Sequence, residues 1–309
     1  MGLHMTGWGI LASLPFLLLA ASHLGALHPA GDSLAVFRPW LVALAALAVA
    51  LLLARGHRGA VLAGMLVTLA SGATLLRAWL PADAVAGGGA GVFTHYQKNM
   101  SYRLADTAPL AEDIRAVAPD FITLQEVTPR NARLLAALAE EYPAVQECPF
   151  AAVGGVVVAS RWPKIAGSGR CGAGRGMTAM QVETPIGPVW VIAIHLHWPW
   201  PFGQPAQARG IAQDIAALLD EDPAPVVIGG DFNMVPWSHL MNMMERASGA
   251  RRIGGVAPSF PLPKIGAKIP IDHVLASTDG GRLERRPRLG SDHFGIVARF
   301  ALSRGAAGQ

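Results

Sequence analysis

Three long apolar runs occupy residues 7–27, 35–54 and 59–80, and beyond residue 91 the pattern changes to short apolar stretches alternating with amphipathic ones. A helix needs about 20 mainly apolar residues to cross a bilayer. Each run is of that order, so the pattern predicts three transmembrane helices. No basic segment precedes the first run and two more follow it, which argues against a cleaved secretion signal. The connectors at residues 28–33 and 55–58 are short enough to predict tight helical hairpins. Residues 81–91, PADAVAGGGAG, can neither pack a core nor hold a helix and read as a linker. A domain is expected over residues 92–303, with a tail at 304–309.

Within that domain, strand-like stretches begin at Phe121, Gly154, Thr178, Val189, Pro225, Ile271 and Phe294. Helical stretches follow Asp106, Pro129, Gln204 and Trp237. The TPIGP turn at residues 184–188 predicts an antiparallel hairpin as well as crossovers. The expected class is therefore α/β (α+β), with mixed sheets and helices outside them.

Composition strengthens the membrane reading. At 52% hydrophobic residues and a mean hydropathy of +0.36, the 309-residue chain is too apolar for an ordinary soluble enzyme. The net charge of +4 divides evenly between the first 90 residues and the rest. Spread in this way, it is no footprint of a dedicated duplex binder. Arg55 and Arg58 in the second connector, against Asp32 in the first, place the second connector in the cytoplasm and the later domain outside it. Arg38 and Arg77 lie at the opposite helix ends and make this bias slight. The two cysteines, Cys148 and Cys171, suit an extracytoplasmic disulfide, and spacing alone equally allows two unrelated buried thiols.

Polar residues of interest gather where strands end. Gln125 and Glu126 close one apolar run, His195 another, and Asp231 with Asn233 a third, while Asp272 opens a fourth and Asp292 with His293 precedes the last. Singly, each is a common turn former or a strand-end histidine. Together they match the needs of phosphate-ester cleavage. A hard cation such as Mg²⁺ takes carboxylate and amide oxygens, which Glu126 with Asn99 or Asp292 supplies. Asp231 suits activation of water, Asn233 and His195 suit contact with the phosphate, and His293 beside Asp272 stays protonatable near neutral pH. His197 alternates away from His195 on a strand, so His195 is the choice, as it ends the longer apolar run.

Other features have plainer readings. The G-x-G-x-x-G at residues 167–172 precedes a strand instead of opening a helix, and reads as a loop. Trp198, Trp200 and Trp237 flank the candidate site, where they pack a wall, stack on a base or dip toward lipid headgroups. Arg282, Arg285, Arg286 and Arg288 steer an anionic substrate or line a solvated strand face.

The ordered set Asn99, LQEV (124–127), ASRWPKI (159–165), HLH (195–197), GGDFNMVPWS (229–238), IPIDHVL (269–275) and GSDH (290–293) resembles the endonuclease/exonuclease/phosphatase superfamily over nearly all of residues 92–300. The PWS after GDFN and the IPIDH before GSDH look most like a bacterial subgroup with an N-terminal membrane region. The resemblance implies a two-sheet α/β sandwich of the deoxyribonuclease-like type with its site at one rim. It implies Glu126 as principal metal ligand, helped by Asn99 with Asp292 nearby; His195 and Asn233 on the phosphate; Asp231 on the water; and Asp272 paired with His293. Two departures stand out. Gly295 occupies a position where the family usually has Pro, and Ser101 stands where some nucleases carry a second acid.

The expectation is thus a membrane-tethered phosphoesterase dependent on Mg²⁺, or alternatively Mn²⁺, acting on a lipid headgroup, a sugar phosphate or a nucleic acid. It would be multi-pass in a bacterial inner membrane with its catalytic domain extracytoplasmic, and no protein partner is inferred. An extracytoplasmic nuclease and a catalytically silent membrane-held binding module are the alternatives.

Overall fold

The computed structural model describes residues 7–80, 91–263, 266–278 and 280–302. The predicted tail lies outside the described residues, as does the linker apart from Gly91. Four helices come first: α1 (Gly7–Ala21), α2 (Ala30–Ala35), α3 (Arg38–Ala54) and α4 (Arg58–Trp79). The first predicted run is cut short. After Ala21 the backbone tightens into i→i+3 turns, Leu24 N to Ala21 O and Leu27 N to Leu24 O, through a segment carrying Gly25 and Pro29. The connector after it holds the extra short helix α2 instead of a bare hairpin.

At about 1.5 Å per residue, α1 and α3, with 15 and 17 residues, fall short of a hydrocarbon core of about 30 Å. Only α4, with 22 residues and a mean hydropathy of 1.8 in its most apolar window, is long and apolar enough among the described residues. The prediction of three spanning helices is reduced to one by this test. Helices α1, α3 and α4 pack through Leu19, through Leu41 with Ala45, and through Val67.

From Val92 onward two six-stranded mixed sheets lie face to face. The strands are β1 (Val92–Asn99), β2 (Phe121–Val127), β3 (Ala144–Ala151), β4 (Gly154–Ser160), β5 (Arg170–Cys171), β6 (Met177–Thr184), β7 (Gly187–His195), β8 (Val226–Asp231), β9 (Arg251–Arg252), β10 (Phe260–Pro261), β11 (Lys268–Ile269), β12 (Asp272–Ala276), β13 (Gly281–Arg286) and β14 (Gly295–Ala301). One sheet runs β13-β14-β1-β2-β4-β3 and the other β5-β6-β7-β8-β12-β9, with β10 and β11 as a separate ribbon. Two pairs are parallel, β1 with β2 and β7 with β8. Each is joined by a crossover helix, α5 (Ala108–Val117) or α7 (Gln204–Glu221), as parallel neighbours require. The remaining helices are α6 (Arg133–Ala137) and α8 (His239–Ser248).

Alternation along the central strands explains the layering. On β7, Val189, Val191 and Ala193 enter the core between the sheets, while Trp190, Ile192 and Ile194 face α7 and α8. On β2, Phe121 points between the sheets, while Ile122 and Leu124 face α5 and α6. Fully burying such side chains contributes about 1.5–3 kcal/mol each, so strands with two apolar faces can only sit inside this α/β/β/α stack. Cys148 on β3 and Cys171 on β5 are bonded, joining one edge of each sheet.

The helical region and the sandwich meet through specific bonds. Both Asp32 carboxylate oxygens accept from the first turn of α8, from His239 N at 2.7 Å and Leu240 N at 3.1 Å. Buried Arg38 donates to the Trp237 carbonyl at 3.2 Å, and the Trp237 indole donates to the Ala35 carbonyl at 2.7 Å. Trp237 therefore packs a wall, with Ala35, Val36, Ile269 and Ile271 around it. Replacing a helix-capping acceptor typically costs about 1–2 kcal/mol. Asp32→Ala in the full chain is expected to lower the melting temperature by that loss, read by calorimetry against the unsubstituted protein.

Candidate active site

Strand β1 delivers three polar side chains to one face by simple alternation: His95, Gln97 and Asn99 all point between the sheets and are fully buried. His95 Nε2 bonds Thr123 Oγ at 2.8 Å, in space left open by Gly229, where a Cβ would come within 2.4 Å of that nitrogen. One step along, Gln97 Nε2 donates to Gln125 Oε1 at 2.8 Å and to Asp272 Oδ1 at 3.0 Å. At the strand end, Asn99 Nδ2 donates to Glu126 Oε1 at 3.1 Å and to Asp231 Oδ2 at 3.0 Å. Asn99 is thus the joint between the two sheets at the rim.

Glu126 reaches this rim through a β-bulge. In the pairing of β2 with β4, Gln125 faces Val156 and Val127 faces Gly155, which leaves Glu126 as the extra residue. Its φ of 59° lies in the left-handed region, as do Ser101 (62°) and Asn233 (48°) nearby. Such conformations cost about 1–3 kcal/mol each at non-glycine residues and persist where the surroundings over-determine them. Here Asn131 fixes the bulge: its Nδ2 donates to the Glu126 carbonyl at 2.9 Å and to the Ser101 carbonyl at 3.2 Å. Gly154 lies opposite with φ 115°, and a Cβ there would meet the Val127 carbonyl at 2.6 Å. Glu126 Oε2 then accepts from Tyr102 N at 2.7 Å.

Asp231 and Asp272 close β8 and open β12, directly paired in antiparallel register. His293 lies between them, its Nδ1 at 2.8 Å from Asp272 Oδ2 and its Nε2 at 3.6 Å from Asp231 Oδ2. His195 Nε2 approaches the same Asp231 oxygen at 3.7 Å. Asn233 N donates to Asp231 Oδ1 at 3.0 Å, and Asn233 Nδ2 to the Leu196 carbonyl at 2.8 Å, leaving one amide hydrogen free of that bond. His197 is exposed, so the choice of His195 agrees with the geometry. Asp292 stands at the exposed rim, outside the buried set.

Burial and neighbouring charge set the protonation states. Burial pushes Asp231 up to about 7, against the pull of His293. Burial alone would lower His293, but the carboxylates of Asp272 and Asp231 raise it to about 9. For Asp272, burial would raise the carboxyl, and His293 beside it holds it below the ordinary value. Burial lowers His195 to about 4, so its imidazole is neutral near pH 7. Glu126 is raised first by burial, with Asp292 adding repulsion.

The donor set fits a hard divalent cation. Two carboxylates, Glu126 and Asp292, lie close enough to repel each other, which gives the carboxylate-oxygen chemistry that Mg²⁺ or Mn²⁺ prefers, while Asn99 Nδ2 holds Glu126 and its Oδ1 accepts from Ser101 N. Asp231, Asp272 and His293 also bring ligand atoms within 4.8 Å of one another. In that trio, Nδ1 of His293 is already bonded to Asp272 at 2.8 Å, which leaves Nε2 as its open ring nitrogen.

Several supporting residues were not singled out from the sequence. Gln97 and Ser259 hold Asp272, the latter through a bond from Asp272 N to its hydroxyl at 3.1 Å. Buried Lys98 donates to the carbonyls of Arg288 at 2.8 Å and His293 at 2.7 Å, pinning the loop that carries Asp292 and His293. The only sequence signal for these is the polar run HYQKN at the end of β1, odd for a central strand. Of the arginine run, Arg282, Arg285 and Arg286 lie on β13, where Arg286 pairs with Asp113 and Arg285 covers the Phe294 ring, while Arg288 follows the strand and donates to the Ser291 carbonyl.

The chain belongs to the Endonuclease/Exonuclease/phosphatase family, whose model matches residues 87–293. Its fold is shared with several solved structures. TDP2 from Caenorhabditis elegans, in truncated form, is 18% identical, with 68% of this chain and 98% of that one covered and a TM-score of 0.54. A mutant of beta toxin from Staphylococcus aureus with bound magnesium ions is 14% identical, with coverage of 68% and 99% and a TM-score of 0.52. Sphingomyelinase C from Streptomyces griseocarneus is 19% identical, with coverage of 68% and 99% and a TM-score of 0.50. No curated protein sequence matches the chain.

In metal-free protein, NMR titration of the His293 ring is expected to give a midpoint near 9, with the imidazolium present at neutral pH and lost as pH rises through that value. Asp272→Asn removes the largest raising influence, so the midpoint must move down. An unchanged midpoint would refute the assigned pairing.

Proposed function

We propose that this protein is a divalent-metal-dependent phosphodiesterase held at a membrane by its N-terminal helices, with the catalytic sandwich on the extracytoplasmic side of a bacterial inner membrane. The observation that carries the catalytic reading is the convergence of Asn99, Glu126, Asp231 and the Asp272–His293 pair at one rim of the sandwich. Family membership supports phosphate-ester hydrolysis as the reaction class.

In this reading, Glu126 and Asp292 would hold the cation, with Asn99 positioning Glu126, and the cation would supply charge neutralisation at the phosphate. Asp231 is the acceptor for the proton of the attacking water, since a carboxyl raised to about 7 is a better base than an ordinary one. Asn99 and Asn233 fix its two oxygens from either side. His293, kept protonated by Asp272, presents its Nε2 hydrogen toward the same space. The gap of 3.6 Å to Asp231 is too long for a good hydrogen bond, so that hydrogen is available to a phosphate oxygen. His195 and the remaining Asn233 amide hydrogen complete the polar lining. The overall step adds water across the P–O bond, with one proton taken at Asp231 and one returned to the leaving group.

Support for the tether comes from the apolar outer face of the helices. Leu44, Leu47 and Leu51 on α3, with Leu62, Leu66 and Leu69 on α4, are all more than half exposed in the isolated chain. Leucines in such numbers call for lipid or another apolar cover. Arg55 and Arg58 at the far turn favour the cytoplasm for that end, and the Cys148–Cys171 bond favours an oxidising compartment for the sandwich.

The test is hydrolysis of bis(p-nitrophenyl) phosphate by the purified full chain. Activity is expected to vanish in EDTA and return with Mg²⁺ or Mn²⁺. Glu126→Gln and His293→Gln are each expected to lower the rate by about 10²–10⁴-fold with the fold intact by circular dichroism. Full turnover in EDTA, or unchanged rates in both variants, would sink the reading.

A further inference from the structure

Six exposed aromatic side chains mark one end of the helical region. Phe37 precedes α3, Trp40 lies in its first turn and Trp79 closes α4, so these three stand at the end where the sandwich docks. The other three belong to the sandwich. Trp198, Trp200 and Phe202, on the loop from β7 to α7, are 42%, 51% and 66% exposed. That loop touches the helical region directly: Ser33 Oγ donates to the Trp200 carbonyl at 3.1 Å, and the His28 ring meets the Trp200 indole edge-on at 6.0 Å. Leu27, next to His28, is 80% exposed.

Aromatic rings cost free energy in water, and Trp in particular settles where an apolar ring and a polar N–H are both served, at the level of lipid headgroups. The sandwich loop continues the belt formed by the helix ends, and its cover is therefore the bilayer that surrounds those helices. The same loop leads into the catalytic rim. Trp198 packs edge-on against Phe260 at 5.8 Å, and Phe260 packs against the His293 ring at 4.8 Å. An unbroken aromatic wall thus runs from the exposed loop to the imidazole. On the Glu126 side of the site the lining changes to a cavity of about 450 Å³ bordered by Tyr102, Arg103 and Arg130. A phosphate at the rim has an aromatic approach on one flank and, on the other, an open cleft of mostly apolar lining with Arg103 and Arg130 at its border.

We propose that residues 198–202 dock on the bilayer holding the helices, and that the substrate is a phosphodiester in the headgroup of a lipid in that bilayer. The lipid's apolar part follows the Trp198–Phe260 wall, which leads its phosphate to the His293 ring. This inference rests on the phosphodiesterase reading of the same site.

The full chain is reconstituted in vesicles of phosphatidylcholine and phosphatidylglycerol with Mg²⁺, with bis(p-nitrophenyl) phosphate as the soluble comparison. Release of phosphorylated headgroup, with diacylglycerol left in the bilayer, is expected. The double variant Trp200→Ser/Phe202→Ser should cut that release by about tenfold or more while soluble turnover stays within about twofold, because only interfacial docking is removed. Separately, Phe202→Cys carrying an environment-sensitive fluorophore should be quenched by spin-labelled lipids, the native cysteines being paired. Absence of quenching, or lipid release that is absent or indifferent to the double substitution while soluble turnover persists, overturns the inference. A single-stranded oligonucleotide turned over faster than the lipid would also overturn it and assign the site to nucleic acid. Failure of soluble turnover in the unsubstituted chain would instead overturn the underlying phosphodiesterase reading.

Discussion

The polar seam along the inner face of β1 is the constraint on which the site depends. Elsewhere the space between the sheets is filled by Phe93, Phe121, Val156, Val191 and similar side chains. At His95, Gln97 and Asn99 it holds groups that are costly to bury unless bonded. Each finds a partner on an adjacent or facing strand: Thr123, then Gln125 with Asp272, then Glu126 with Asp231. A slip of β1 by one residue would send Tyr96 and Lys98 into the seam and strand every one of these groups. The seam therefore fixes the two sheets in a single register, and that register is what brings the ends of β2, β8 and β12 together.

The last two positions of the site are set by departures from regular strand geometry. Without the bulge at Glu126, strict alternation would turn its carboxylate toward α5 and α6, away from Asn99. Asn233 likewise turns sharply after β8, so that its own N–H binds Asp231. The strain at Glu126 and Ser101 is held by Asn131 and by the close approach of Gly154, and that at Asn233 by its bonds to Asp231 and the Leu196 carbonyl. Rigidity at the rim is thus a product of local discomfort held in place by a well-packed stack. That arrangement keeps carboxylates and imidazoles oriented before any substrate arrives.

Much of this was legible in the sequence, for physical reasons that differ by element. Strands with two apolar faces, such as β7 and β8, announce themselves as continuous apolar runs, and the residues that close them were read as candidate chemistry. Strand β1 was not among the strands read from the pattern, because its buried positions are polar and alternation of hydrophobicity is the signal. Edge strands β3 and β13 were hidden by the exposure of alternate or most positions. The supporting residues Gln97, Lys98, Asn131 and Ser259 act through bonds between segments far apart in the chain, and no local pattern reports such partners. At the front of the chain, apolar content overstated helix length: residues 22–27, SHLGAL, continue the first run only in part, and Gly25 and Pro29 turn them out of the helix.

The Cys148–Cys171 bond joins β3 to β5, the outermost strands on one side of the sandwich. Its partners come from different sheets, so the closed bond ties the two stacked sheets together at that edge. It therefore works as a latch on the finished sandwich. Thiol pools in a reducing compartment keep such a latch open, and oxidising surroundings let it shut. The state of this one pair thus keeps a chemical record of the redox surroundings in which the sandwich folded.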